Sequence, residues 1–145
     1  MALKIINTQD WTLDEIQPYS RDLTAAMRRL CDKYPDDLTV GLLMEGIVKG
    51  QNQLWLILDE EGSFKAFVTT EIFISEITGK QRLHLCDLGG EGGVFLADLV
   101  TELEKFAKKK GIAEIQAMGR FGWQKQLAKH GYRPIVYRYS KELTQ

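Results

Sequence analysis

Hydrophobic and polar positions alternate with two different periods along this chain, and the changes of period mark its elements. Leu23, Met27, Leu30 and Cys31 recur at helical spacing, leaving Arg21, Asp22, Arg28 and Arg29 for solvent. Pro35, with Asp36 and Asp37, predicts the end of that helix and the start of a second over about Leu38 to Lys49, stopped by Gly50. Trp55 to Leu58 predicts a strand, and Asp59-Glu60-Glu61-Gly62 a hairpin turn. Ala66, Val68, Thr70, Ile72 and Ile74 then alternate with Lys65, Phe67, Thr69, Glu71 and Phe73 as one long strand. After a turn at Thr78-Gly79-Lys80, residues 83–88 alternate again, which sets His84 and Asp87 on opposite faces of their strand.

The clearest helix comes next. Leu96, Leu99, Val100, Leu103, Phe106 and Ala107 form one stripe, with Glu104 and Lys108 at i,i+4 spacing. Lys108 to Lys110 complement the negative end of its dipole, and Gly111 stops it. Ile112 to Met118 reads as a strand, Trp123 to His130 as a short helix ended by Gly131, and Ile135 to Lys141 as a final strand. The order is α-α-β-β-β-α-β-α-β, with an additional strand at Leu3 to Asn7. Two hairpins imply antiparallel pairing in the first half. The strand–helix–strand unit from Leu83 to Met118 implies a right-handed parallel crossover in the second. The predicted architecture is α+β (α/β), a mixed, mostly antiparallel sheet flanked by helices, in one domain over residues 1–145.

Composition narrows the function. The length suits one core, and 19 basic against 20 acidic side chains leave a net charge of −1, so no nucleic-acid partner is expected. Two distant cysteines and two isolated histidines have no metal-ligand spacing and no disulfide framework. The sequence opens on no long apolar run, which predicts a cytoplasmic protein without membrane contact.

Leu88-Gly89-Gly90-Glu91-Gly92-Gly93 places four glycines between a strand and the best helix. Such a loop either cradles a phosphate on backbone N–H groups or simply connects the two elements. The three-glycine dinucleotide spacing and the P-loop lysine are both absent, which disfavours a nucleoside triphosphate. Glu71, on the strand face shared with Phe67 and Phe73, is the candidate general base. Cys86 reads as a buried, inert thiol. Arg120 and Trp123 could stack on a ligand, with packing of Trp123 against the sheet as the alternative.

The element order, together with Leu54-Trp55-Leu56, Leu88-Gly89-Gly90-Glu91-Gly92, the run from Leu103 to Lys108 with Gly111, Gly119-Arg120-Phe121-Gly122-Trp123 and Gly131-Tyr132, resembles the GNAT superfamily of acyl-CoA-dependent N-acetyltransferases. More narrowly, it resembles the small GNAT-like proteins of tailed bacteriophages and prophages. The resemblance spans roughly residues 50 to 142. It implies acetyl-CoA as cofactor, an amine as acceptor, and a cofactor-binding set of Leu88, Gly89, Gly90, Gly92, Gly93, Val94, Arg120 and Trp123. The superfamily's loop pattern is Arg or Gln, two residues, Gly, one residue, then Gly or Ala; here only Gly92 agrees, with Gly89 and Val94 at the other two places. Arg120 and Leu127 stand where an Asn and an acid Tyr are usual, so Tyr132, Tyr137 or Tyr139 would have to supply a proton. Two readings stay open: an acetyltransferase-like protein with degenerate motifs, and a non-catalytic scaffold serving as a virion or host-interaction protein that binds other phage or host proteins.

Overall fold

The computed structural model describes residues 3–91, 98–118 and 121–144. Five strands form one sheet in the order β1-β2-β3-β4-β5: β1 is Lys4–Asn7, β2 Gln53–Leu58, β3 Phe64–Ile74, β4 Gln81–Gly90 and β5 Glu114–Ala117. The first three pairings are antiparallel and the β4–β5 pairing is parallel. The mixed sheet and the crossover expected from the sequence are both present.

Helix α1 is Leu13–Ile16, α2 Ser20–Lys33, α3 Val40–Val48, α4 Val100–Lys109 and α5 Gln124–Ala128. The one-turn α1 was not expected; it rests on a capping box in which Thr12 accepts from the Glu15 amide and Glu15 answers to the Thr12 amide. Helix α3 starts on Thr39, whose Oγ1 accepts from the Leu42 amide at 3.1 Å, rather than on Asp36 or Asp37. The Glu104–Lys108 pair does not form, because Glu104 engages Tyr132, while Lys105 reaches Glu102 at 3.0 Å.

Each face of the sheet is covered differently. Leu54, Leu56 and Phe67 meet Leu23, Met27 and Leu30 of α2. Trp55, Ile57, Val68 and Leu83 meet Leu103 and Ala107 of α4 on the other face. Strand β2 is therefore buried along its whole length, and burying a side chain such as Leu56 or Ile57 contributes about 1.5–3 kcal/mol. The buried polar groups at its start are paired: Trp55 Nε1 donates to Thr70 Oγ1 at 3.0 Å, and the Thr70 hydroxyl donates to Gln53 Oε1 at 2.9 Å.

Two sequence expectations fail in the second half. Strand β4 runs through Gly89 and Gly90, which pair with Phe67 and Ala66, so neither glycine belongs to a strand-to-helix loop. Residues 135–141 form no strand and are exposed, and none of them appears in the sheet's pairings.

Candidate functional site

Alternation along β4 is broken at one residue. Leu85 sits opposite Thr70 and Asp87 opposite Thr69, so Cys86 has no partner across the β3–β4 ladder. This is a β-bulge, and it reverses the parity of everything beyond it. His84, opposite Glu71, and Asp87, opposite Thr69, consequently lie on the same face, the one covered by α2 and α3. Strict alternation had separated them. No hydrogen bond joins the two, and each has another neighbour. The Thr69 hydroxyl donates to Asp87 Oδ2 at 2.7 Å, and the His84 ring lies 4.3 Å from that of Phe73.

Glu71 is half-buried beside them, and Gln51 Nε2 donates to its Oε1 at 3.4 Å. Cys86 is exposed rather than buried. Partial desolvation of the sulfur, followed by the Asp87 and Glu71 carboxylates, pushes its thiol up to about 12. It is thus a thiol at neutral pH, and its Sγ points at the His84 carbonyl, 3.6 Å away. The raised thiol is in line with the sequence reading of this cysteine, whereas its exposure is not.

The same stretch of β4 loses its other neighbour. Pairing with β5 covers only Arg82 to Leu85 against Glu114 to Ala117. Among the described residues, no strand pairs with Cys86 to Gly90 on that side. The parallel pairing among the described residues therefore ends beside the bulge. Thr69, Glu71, His84 and Asp87 stand on the sheet face next to it.

The expected glycine cradle is only partly described. A Cβ on Gly89 would lie 2.7 Å from Phe67 Cε1, and one on Gly90, at φ +126°, would lie 2.5 Å from Ala66 Cα. Both glycines are required by close packing inside the ladder, which corrects their placement in a strand-to-helix loop. The Glu91 amide continues the ladder onto the Lys65 carbonyl at 2.8 Å, and its carboxylate turns toward Lys65 Nζ. Leu88, opposite Val68, packs against the α4-face core, as does half-buried Trp123. Gly92, Gly93, Val94 and Arg120 lie outside the described residues.

The three tyrosines considered as proton donors are bonded or exposed elsewhere. The Tyr132 hydroxyl donates to Glu104 Oε2 of α4 at 3.0 Å. Desolvation, then that bond and the Glu104 charge, raise its phenol above the ordinary range. Tyr137 and Tyr139 are exposed in the extended segment, and Leu127 is half-buried. A separate open groove of about 640 Å³ lies between β1 and α4, lined by Ile5, Leu58, Asp59, Asp98, Leu99 and Glu102, and contains none of these residues. No helix among the described residues is long and apolar enough to cross a membrane.

Sequence reasoning missed Thr69, His84 and Asp87 as neighbours of Glu71. Nothing in the local sequence marks Cys86 as an extra residue; only the cross-strand register reveals it.

No protein-family model matches the sequence, and no curated protein matches it either. Solved structures do match in shape. Glucosamine-6-phosphate N-acetyltransferase from Arabidopsis thaliana superposes with a TM-score of 0.69 at 15% identity, over 99% of this chain and 100% of its own. A probable acetyltransferase gives 0.68 at 14% identity, over 100% and 99%. An acetyltransferase from Trypanosoma brucei gives 0.66 at 14% identity, over 98% and 100%. Those alignments run nearly end to end, and the mixed, mostly antiparallel sheet flanked by helices agrees with them: this chain has the GNAT acetyltransferase fold.

Proposed function

We propose that the protein is an acyl-CoA-dependent N-acyltransferase whose acyl group is presented at the bulge of β4. The observation that carries this reading is the end of the β4–β5 pairing at Leu85, beside a face bearing Glu71, His84 and Asp87; this reading places a slot for the acyl group between the two strands there. The donor set fits a thioester. Unpaired N–H groups of the β4 edge can hold a carbonyl oxygen, and no side chain from a neighbouring strand closes that edge among the described residues. An acyl-CoA bound there supplies an activated acyl carbon.

The chain's own residues do the rest. The edge of β4 orients the carbonyl and stabilises negative charge developing on its oxygen. Glu71 receives a proton from the incoming amine, whose nitrogen forms the new C–N bond as the C–S bond breaks. Asp87, held by Thr69, adds negative charge that favours a cationic amine at the mouth of the slot. Phe73 and His84 form an aromatic wall on the same face. The thiolate leaves into solvent without a phenol to meet it, so alignment of the two substrates supplies most of the acceleration. Gly92, Gly93, Val94 and Arg120 complete the cofactor-binding set in this proposal, with Leu88 and Trp123 supporting the slot from the α4 side.

A second reading, a scaffold of the same shape without catalysis, is favoured by one observation: Tyr132 is tied to Glu104, away from any thiolate. Calorimetry with acetyl-CoA decides between them. Saturable binding that is lost in Gly92→Glu supports the enzyme, and no heat at millimolar ligand leaves the scaffold.

A further inference from the structure

A single side chain holds the Glu71 carboxylate. Among the described residues, the Gln51 amide is the one group that hydrogen-bonds to it, with Nε2 donating to Oε1 at 3.4 Å, and Oε2 is left without a bond. Gln51 lies in the short link between α3 and β2, and the residues on either side of it are fixed. The Gly50 amide donates to the Ile47 carbonyl at 3.1 Å, and the Asn52 amide to the Gly46 carbonyl at 3.0 Å. A Cβ on buried Gly46 would overlap Asn52 Oδ1, so the helix carries a glycine where the link folds back over it.

Three successive residues then reach β3: Gln51 engages Glu71, Asn52 Nδ2 donates to the Thr70 carbonyl at 3.5 Å, and Gln53 Oε1 accepts from the Thr70 hydroxyl at 2.9 Å. Thr70 sits opposite Leu85, the last residue of β4 before the bulge. Gln51 is exposed, whereas Gln53 and Thr70 are buried, so of these contacts the one on Glu71 adds least to the core. Its chemistry suits a base. An ionised carboxylate only accepts hydrogen bonds, and a primary amide offers it a donor. A lysine or arginine in that place would add a full positive charge and weaken the carboxylate's hold on a proton. An amide orients the group without a net charge of its own. Fixing Oε1 sets the carboxylate plane and leaves Oε2 to receive a proton.

We propose that Gln51 is a positioning residue for Glu71: it holds Oε1 so that Oε2 meets the incoming amine, and it makes the α3–β2 link part of the acyl-transfer machinery although the link supplies no reacting group. This inference rests on the acyltransferase reading, in which Glu71 receives the amine's proton. That proton passes from the amine nitrogen to Oε2 as the C–N bond forms and the C–S bond breaks. Gln51 exchanges no proton and keeps its bond to Oε1 throughout.

Nuclear magnetic resonance on the full chain tests the contact directly. As pH falls through the titration of the Glu71 carboxyl carbon, the Gln51 side-chain amide protons should move in step with it, and that movement should vanish in Glu71→Gln. Amide protons that stay still overturn the proposal, with or without turnover. Thiol release from acetyl-CoA with phenethylamine, an amine whose aromatic body can meet Phe73 and His84, tests the consequence. Gln51→Leu should lower kcat about tenfold, a part of what loss of the base itself costs, with KM for the amine and the affinity for acetyl-CoA unchanged. Added to Glu71→Gln it should cost nothing further, because Gln51 acts only through that carboxylate. An unchanged kcat in Gln51→Leu, or losses that multiply in the double variant, overturns the inference and leaves the acyltransferase reading standing. A parent protein without saturable acetyl-CoA binding overturns that reading instead, and Gln51 then has no base to position.

Discussion

Replacing Gly90 by alanine separates a glycine that serves the ladder from one that serves a ligand. Gly90 has φ +126°, where an L side chain costs about 1–3 kcal/mol. Its Cβ would also sit 2.5 Å from Ala66 Cα and 2.7 Å from Ala66 Cβ. Ala66 is fully buried and belongs to the central strand β3, so it cannot swing aside, and crowding of this kind adds about 1–3 kcal/mol. The combined loss is about 2–6 kcal/mol. Gly111→Ala is the matched control: φ is +72°, but nothing lies within 4 Å, so only the conformational cost of about 1–2 kcal/mol applies. Urea unfolding of the three proteins, with a common slope, reads the difference as a shift in midpoint. Gly90→Ala should fall well below Gly111→Ala, and under the acyltransferase proposal its folded fraction should bind acetyl-CoA as well as the parent. A Gly90→Ala loss within about 1 kcal/mol of the control would refute the assignment of this glycine to packing.

Three further outcomes follow from the same geometry. The raised phenol of Tyr132 stays protonated in the folded state above pH 10, where the unfolded chain ionises; its contribution is complete below pH 10 and drains away as pH climbs toward the folded value. Tyr132→Phe should therefore flatten the alkaline limb of a stability–pH curve, and an unchanged slope above pH 10 counts against the Glu104 contact. Cys86, exposed but pushed up to about 12, should alkylate slowly with iodoacetamide at pH 8 and speed up as pH approaches 12. Glu71→Gln/Asp87→Asn should bring that rise to lower pH, and a pH profile that does not move removes the two carboxylates as its cause. Under the acyltransferase proposal, Glu71→Gln alone should lower kcat/KM for amine acetylation about 100-fold with acetyl-CoA affinity unchanged, measured by thiol release and calorimetry.

Periodic elements could be read in advance because one local feature decides each of them. The alternation from Lys65 to Ile74 needs only a half-buried sheet, and the stripe from Leu99 to Ala107 needs only one apolar neighbour. The Asp59 turn is equally local, since its Oδ1 accepts from the Glu61 and Ser63 amides, both at 2.9 Å. The short α1 was overlooked although its capping box is written in Thr12 and Glu15, because it buries no residue and so shows no stripe. Gly89 and Gly90 were misplaced for a different reason. Glycine composition is the same for a wide turn and for a tightly packed ladder, and the difference resides in Phe67 and Ala66, more than twenty residues earlier. The segment from Ile135 to Lys141 has strand periodicity without a strand, since periodicity describes what a segment can pair with and not whether an edge is within reach.

The candidate site depends on a single residue that pairing alone reveals. Were β4 regular, Thr69 opposite Asp87 would set Thr70 opposite Cys86 and Glu71 opposite Leu85; instead Thr70 meets Leu85 and Glu71 meets His84, which leaves Cys86 unpaired. That extra residue keeps both Leu85 and Leu88 on the α4 face, three positions apart, where each packs against the core. Between them Asp87 is turned to the polar face and meets Thr69. The same position is where β5 ceases to follow β4. A bulge increases local twist, and extra twist in one member of a parallel pair carries it away from the other. Hydrophobic packing on one face and the turning of Asp87 to the other are thus two consequences of one insertion in the register. A change that shifts the bulge by one residue would therefore disturb the α4-side core and the face bearing Asp87 together.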